Sequence, residues 1–270
     1  MNFETAISFV RQRGNEVEKA RLAYLLTGER PSAEIVAQLF AGQQPDGGWS
    51  PFWVKDYTSL DATCFRLAQA EQLGLGRSET TITRAVDFLA ERQAQDGSWE
   101  EDKKVANLAP PWAAPGDPEA TLYLTANCGL WLALLGDPDN RASKAAGFLQ
   151  SQLGPDGHLP SFLHTHWLAG TLWHKLGWQP PAERAFKYLS ERINELDASN
   201  LSWWIITACV AGIPPNQSVV GQAASLLEKN QRGDGCWPSE DGPESDVHST
   251  LEAMRALWLC GRIDKKRNDD

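Results

Sequence analysis

The sequence predicts an all-α fold, a single (α/α)6 toroid filling one domain over residues 1–262, and three observations carry that expectation. A short phrase recurs four times, amphipathic segments alternate with more apolar ones along the whole chain, and no strand alternation of useful length competes. The phrase is a Gln, then Asp-Gly, then a bulky residue six positions after the Gln: Gln43 to Trp49, Gln93 to Trp99, Gln152 to His158 and Gln231 to Trp237.

In chain order, residues 2–12 form a first outer helix and 15–27 a first inner one. Outer segments then fall at 32–42, 79–93, 140–152, 180–196 and 215–230, and inner segments at 58–74, 117–136, 161–177, 199–212 and 245–261. Each copy of the phrase closes a helix and opens a turn, because an amphipathic stretch runs into the Gln and Asp-Gly favours turn or left-handed backbone. Between Arg84 and Gln93, for example, Ala85, Phe88 and Leu89 stand at i, i+3 and i+4, which is one helix face. The later inner segments end at a Gly, and Leu122 to Leu135 is apolar around most of its circumference, as suits a helix with neighbours on nearly every side. No such hairpin buries its apolar face alone, so six of them are expected to close into a ring with the inner helices around a cavity. The repeat reads as structural: the Gln side chain bonds to exposed amides at the next helix start while the Trp ring packs nearby.

Composition narrows the function classes. A net charge of −10 argues against a nucleic-acid partner, since phosphate binding needs a basic face. The one basic run, Lys265-Lys266-Arg267, falls in a polar tail expected over 263–270. There is no apolar run of spanning length, and the start Met-Asn-Phe-Glu-Thr lacks the layout of a secretory signal, so a cytoplasmic location is expected. The five cysteines, Cys64, Cys128, Cys209, Cys236 and Cys260, are odd in number and far apart, which reads as reduced structural thiols.

The stretch from Arg84 through Phe88, Leu89, Gln93 and Gly97 to Trp99 resembles the QW repeat of squalene-hopene and oxidosqualene cyclases. The segment from Asp234-Gly-Cys-Trp237 through Ser245 to Leu257 is similar to the wider prenyltransferase and squalene-cyclase repeat, and the resemblance covers about residues 40 to 260. It implies the class II terpene cyclase fold. It also implies a motif, Asp-x-Asp-Asp-Thr, whose middle Asp delivers a proton to a terminal alkene or epoxide. Asp117-Pro-Glu119-Ala-Thr121 resembles that motif with Glu in the middle and Ala in place of the last Asp, so the expected acid is Glu119 held by Asp117, or Asp117 with the roles reversed. Protonating an alkene needs a neutral acid in a dry pocket, which burial and a neighbouring carboxylate supply.

Other side chains at the starts of inner helices are candidates for substrate contact: Asp61, His166, Asp246 and His248. Asp61 and Asp246 also suit helix capping, where loss of the carboxylate costs about 1 kcal/mol. Among 12 Trp, seven outside the repeats, Trp112, Trp131, Trp167 and Trp203 foremost with Trp173, Trp204 and Trp258, lie in or just before inner helices, where ring faces can stabilise a cation. The irregular stretch from Glu100 to Gly116 is placed to cover the cavity, with Lys103 or Lys104 available to an anionic head group.

These readings converge on a single-toroid relative of class II terpene cyclases, closing rings on a polyprenyl chain with neither cofactor nor metal. Resemblance to monodomain members of that family implies a prenylated aromatic acid as substrate, with peripheral membrane contact for its uptake. One rival is a zinc-dependent prenyl-transfer toroid with Asp234, Cys236 and His248 as ligands. Another is a non-catalytic toroid that binds a hydrophobic ligand or a partner subunit.

Overall fold

The computed structural model describes residues 1–263, and Lys265-Lys266-Arg267 of the expected tail lie outside the described residues. Among the described residues there are twelve α-helices and one isolated bridge, Trp49 to Ser59. The helices are α1 (Phe3–Arg13), α2 (Glu16–Thr27), α3 (Ala33–Leu39), α4 (Leu60–Glu71), α5 (Thr80–Glu91), α6 (Pro118–Leu135), α7 (Arg141–Gln152), α8 (Leu163–Lys175), α9 (Gln179–Ser190), α10 (Ala198–Val210), α11 (Ser218–Lys229) and α12 (Asp246–Leu259). They match the expected segments one for one; the expected outer segment 180–196 stops at Ser190 and ends in a separate 3-10 turn, Ile193–Glu195. No helix of the described residues is long and apolar enough to cross a membrane.

The chain forms two compact units. One holds residues 40–71 and 75–191, and so α4 to α9; the other holds 1–39, 72–74 and the chain from Arg192 onward, and so α1 to α3 and α10 to α12. In the first unit α6 packs on both α4 and α8, with α5 and α7 against α6 and α9 against α8. In the second, α12 packs on α10 and α2, with α11 against α10 and α12, and α1 against α12 and α2. Each unit holds six helices, and the most enclosed are α6 and α8 in the first and α10 and α12 in the second. Twelve of the eighteen residues of α6 are buried, against four of twelve in α7.

The repeat turns explain why the phrase recurs. In every copy the Gly takes a positive φ, from +88° at Gly157 to +98° at Gly47. A Cβ there would also meet the backbone of a following outer helix: at 2.3 Å from the Arg84 carbonyl oxygen for Gly47, 2.5 Å from that of Lys144 for Gly97 and 2.1 Å from that of Arg184 for Gly157. Glycine is required twice over, by conformation and by close approach. The Gln side chains fasten the same contact. Gln43 Nε2 donates to the carbonyls of Gly47 and Thr81, Gln93 Nε2 to those of Gly97 and Arg141, and Gln231 Nε2 to those of Gly235 and Asn2. The partners at the helix starts are therefore chiefly carbonyls rather than the amides expected. At Asn2 alone of these three the backbone N–H also donates, to Gln231 Oε1 at 2.6 Å.

The third copy is out of register with the sequence reading. The turn closes by Gln44 N to Gly48 O, Ala94 N to Ser98 O, Gly154 N to His158 O and Arg232 N to Cys236 O, all at 2.8–2.9 Å. Gly154 thus stands where Gln44 does, so Leu153 and Leu159, not Gln152 and His158, hold the Gln and Trp places. One residue's shift preserved the six-residue spacing and concealed the substitution.

Candidate active site

The start of α4 leaves four N–H groups without a helical partner, those of Ser59, Leu60, Asp61 and Ala62, and each must find an acceptor. Ser59 N donates to the Trp49 carbonyl at 3.0 Å, and Ser59 Oγ accepts from Ala62 N at 3.2 Å. The other two amides, Leu60 N at 2.9 Å and Asp61 N at 3.4 Å, donate to Glu101 Oε1. Glu101 is only 3% exposed and takes two further donors, Ser59 Oγ at 2.6 Å and Tyr57 Oη at 2.7 Å. Burial pushes its carboxyl upward in pKa, and these four hydrogen bonds oppose the push.

With the helix start satisfied, the Asp61 carboxylate points elsewhere. Its Oδ1 accepts from Tyr123 Oη at 2.6 Å and its Oδ2 from Trp112 Nε1 at 3.2 Å. Tyr123 Oη in turn accepts from Asn127 Nδ2 at 3.2 Å, one turn along α6, and His164 of α8 meets the Tyr123 ring edge-on with centroids 4.6 Å apart. Asp61 retains some accessible surface, yet desolvation by the surrounding protein raises its pKa, against the two donors that favour its anion. Desolvation likewise depresses His164 to about 4, with His166 adding to the effect, so its imidazole is neutral at pH 7. Deeper in the same unit Cys64 and Cys128 face each other with Sγ atoms 3.8 Å apart, and burial pushes both thiols up, in keeping with reduced core cysteines.

The segment from Glu100 to Gly116, anticipated as a cover, supplies side chains to this site. It is tied at its base by a hydrogen bond from Gly116 N to Glu100 and shaped by 3-10 turns at Lys103–Val105 and Pro111–Ala113. From it come both Glu101 and Trp112. Lys103 is exposed, and the Lys104 ammonium lies 5.0 Å from the Tyr57 ring centroid.

Glu119 and Asp117 have other surroundings. Asp117 is the N-cap of α6, its Oδ1 accepting from Glu119 N at 2.8 Å and Ala120 N at 3.2 Å, while Glu119 is exposed. The dry pocket that alkene protonation demands is absent around Glu119. The repeats also differ in register: Trp49 N donates to Thr63 Oγ1, Trp99 N to Thr125 Oγ1 and Trp237 N to Thr250 Oγ1. Thr125 rather than Thr121 is the counterpart of Thr63, because α6 begins one turn early after the 100–116 insertion. The counterpart of Asp61 on α6 is therefore Tyr123.

The remaining candidates divide. Trp112 joins Asp61; Trp203 is half-buried on α10, and Trp131 and Trp167 are enclosed, at 5% and 0% exposure. His166 serves the third repeat turn, its Nε2 accepting from Leu159 N at 3.0 Å and its ring stacking on Tyr188. In the other unit, Asp246 accepts from Ser239 N at 2.8 Å. His248 lies between Arg21, 3.0 Å from its Nδ1, and Glu252, 3.3 Å from its Nε2. That network holds Glu252 at about 2, despite burial, chiefly through His248 and then Arg21. Of the rival zinc set, Asp234 is taken up by the Cys236 amide and Arg232, and among the described residues no three His, Cys, Asp or Glu side chains converge to hold a metal.

Glu101, Tyr123 and Asn127 were not anticipated. Tyr123 had a signal, a Thr two residues on, as Asp61 and His248 have, but its spacing from the repeat Trp differs through the insertion. Glu101 had none, since it reaches α4 from 40 residues away.

Neither protein-family models nor curated proteins give a match to this sequence. Solved structures do. A protein from Actinoplanes is similar at TM-score 0.62 and 18% identity, over 96% of this chain and 98% of its own. Type II terpene cyclase MstE from Scytonema is similar at TM-score 0.59 and 14% identity, over 94% of this chain and 96% of its own in the apo form. A variant of the same enzyme in complex with geranylgeranyl dihydroxybenzoate, its substrate, gives 0.59 and 14% over 96% of both chains. At these identities the likeness shows the fold: this chain has the all-α fold class of the terpene cyclases, a helical toroid.

Proposed function

We propose that this protein is a class II terpene cyclase-like enzyme that closes rings on a polyprenyl chain, with Asp61 as the proton donor. The observation that supports this most directly is the desolvated Asp61 carboxyl with Tyr123 Oη and Trp112 Nε1 on its two oxygens. Desolvation favours the neutral acid before reaction. As the proton passes to the terminal alkene carbon, the two donors stabilise the carboxylate left behind, so they act most strongly on the charge that develops. The carbocation formed is attacked by the next double bond, and loss of a proton from the final cation gives an isomer of the starting chain. Trp112 offers a ring face beside the donor. The fold likeness to MstE supports a prenylated aromatic acid as the substrate class.

A single cooperative domain and a peripheral membrane contact for substrate uptake belong to the same proposal. Phe52 and Leu108 are 90% and 57% exposed, and Lys55, Lys103 and Lys104 are exposed in the same two segments.

The test is incubation with geranylgeranyl dihydroxybenzoate in D2O. The expected product is a cyclised isomer carrying one deuterium, absent with Asp61→Asn. Tight binding of this probe by the wild type without conversion would instead favour a ligand-binding protein.

A further inference from the structure

An Asp at a helix N-cap ordinarily turns its carboxylate onto free backbone N–H groups, which stabilise the anion. Asp117 does so at α6. Asp61, two residues past the N-cap position that Ser59 holds at α4, does not. The Trp49 carbonyl satisfies the amide of Ser59, Ser59 Oγ that of Ala62, and Glu101 those of Leu60 and Asp61.

We infer that Glu101 is the positioning residue of this site: it accepts the Leu60 and Asp61 amides at the start of α4 and leaves the Asp61 carboxyl turned toward Tyr123 and Trp112. The role of Asp61 as acid rests on the function proposed above; the capping rests on the hydrogen bonds alone. Glu101 is suited to the task because it is enclosed and takes four donors. Tyr57 is fixed in turn by the Asp102 amide, which donates to its Oη at 2.9 Å. Glu101 thereby joins the segment carrying Trp112 to the start of the helix carrying Asp61.

Without Glu101, two N–H groups at the start of α4 would lack acceptors, and the nearest carboxylate able to supply them is Asp61. Turning back would stabilise its anion and withdraw it from Tyr123. Loss of the negative charge at position 101 acts in the same direction, since a neighbouring anion favours the protonated acid. The other titratable groups about Asp61 in this unit are Tyr123 and Cys128 on α6 and Cys64 on α4, with His164 of α8 beyond the Tyr123 ring and Arg66 further along α4, bonded to Gln69. None of them accepts from the amides that Glu101 occupies.

The test is to titrate the Asp61 carboxyl in the full-length protein by infrared difference spectroscopy, assigning its protonated carbonyl band by its disappearance in Asp61→Asn. Glu101→Ala is expected to move the midpoint down by about one pH unit or more. Glu101→Gln retains an acceptor for the Leu60 and Asp61 amides but loses the charge, and is expected to give a smaller downward shift. An unchanged midpoint in either folded variant, accompanied only by a lower melting temperature, would show a purely structural cap and overturn the inference. If Glu101→Ala does not fold, Glu101→Gln decides alone. Because this readout needs no substrate, absence of cyclisation by the wild type would refute the proposed reaction and leave the positioning result to stand or fall separately.

Discussion

The starts of α4 and α6 present the same five-residue frame, Ser59-Leu60-Asp61-Ala62-Thr63 and Asp117-Pro118-Glu119-Ala120-Thr121, and put their carboxylates to different uses. At α6 the acid at the first position caps the helix and the acid at the third is exposed. At α4 the first position is Ser59, a residue from a distant segment completes the cap, and the acid at the third is desolvated against Tyr123 and Trp112. The difference teaches that a carboxylate at a helix start is available for chemistry only when something else has satisfied the helix.

The largest effect that would break this comparison is on turnover. Asp61→Asn should lower kcat about a thousandfold with the helical circular dichroism unchanged, because the amide keeps the shape and cannot give up a comparable proton. Wild-type activity should also fall as pH rises through the raised pKa of Asp61, since only the protonated form donates. A pH-rate profile checks the sign: loss on the alkaline side. An Asp61→Asn enzyme that turns over normally would return the acid role to α6.

Next in size is Tyr123→Phe, which removes the shorter of the two donors to Asp61. A hydrogen bond to a charged group contributes about 1.5–3 kcal/mol, so kcat should fall by about ten- to a hundredfold with KM little changed. An unaffected kcat would mean that the developing carboxylate is stabilised elsewhere.

Asp117→Ala acts on the other arm. As an N-cap it should cost about 1 kcal/mol of stability, read as a shift in urea midpoint at constant m-value, with turnover close to wild type. The smallest effect belongs to Glu119→Gln, an exposed side chain, where stability should stay within about 0.5 kcal/mol and activity should be unchanged. Abolished turnover in Glu119→Gln would restore the motif assignment made from the sequence.

Much of the molecule was legible because its signals are local. The i, i+3, i+4 spacing of Ala85, Phe88 and Leu89 places them on one buried face of α5, and the Asp-Gly turns lie where the phrase recurs. The slip at Gln152 and Leu153 shows the limit of such reading: a constant spacing between two residue types held while the turn beneath it moved by one residue. At Thr121 and Thr125 the same limit had a greater consequence, since a short motif was matched one helical turn from the register that the backbone adopts.

The sequence by itself determined the helices, their alternation and the glycines of the repeat turns, because periodicity, capping residues and positive φ are properties of neighbouring residues. Only the tertiary structure decided which carboxylate is desolvated. Whether Asp61 serves as a cap or stands free depends on Glu101 arriving from 40 residues away, and its environment on Tyr123, 62 residues along the chain. Burial and hydrogen-bond partners at that range are set by how helices pack, which no local pattern records.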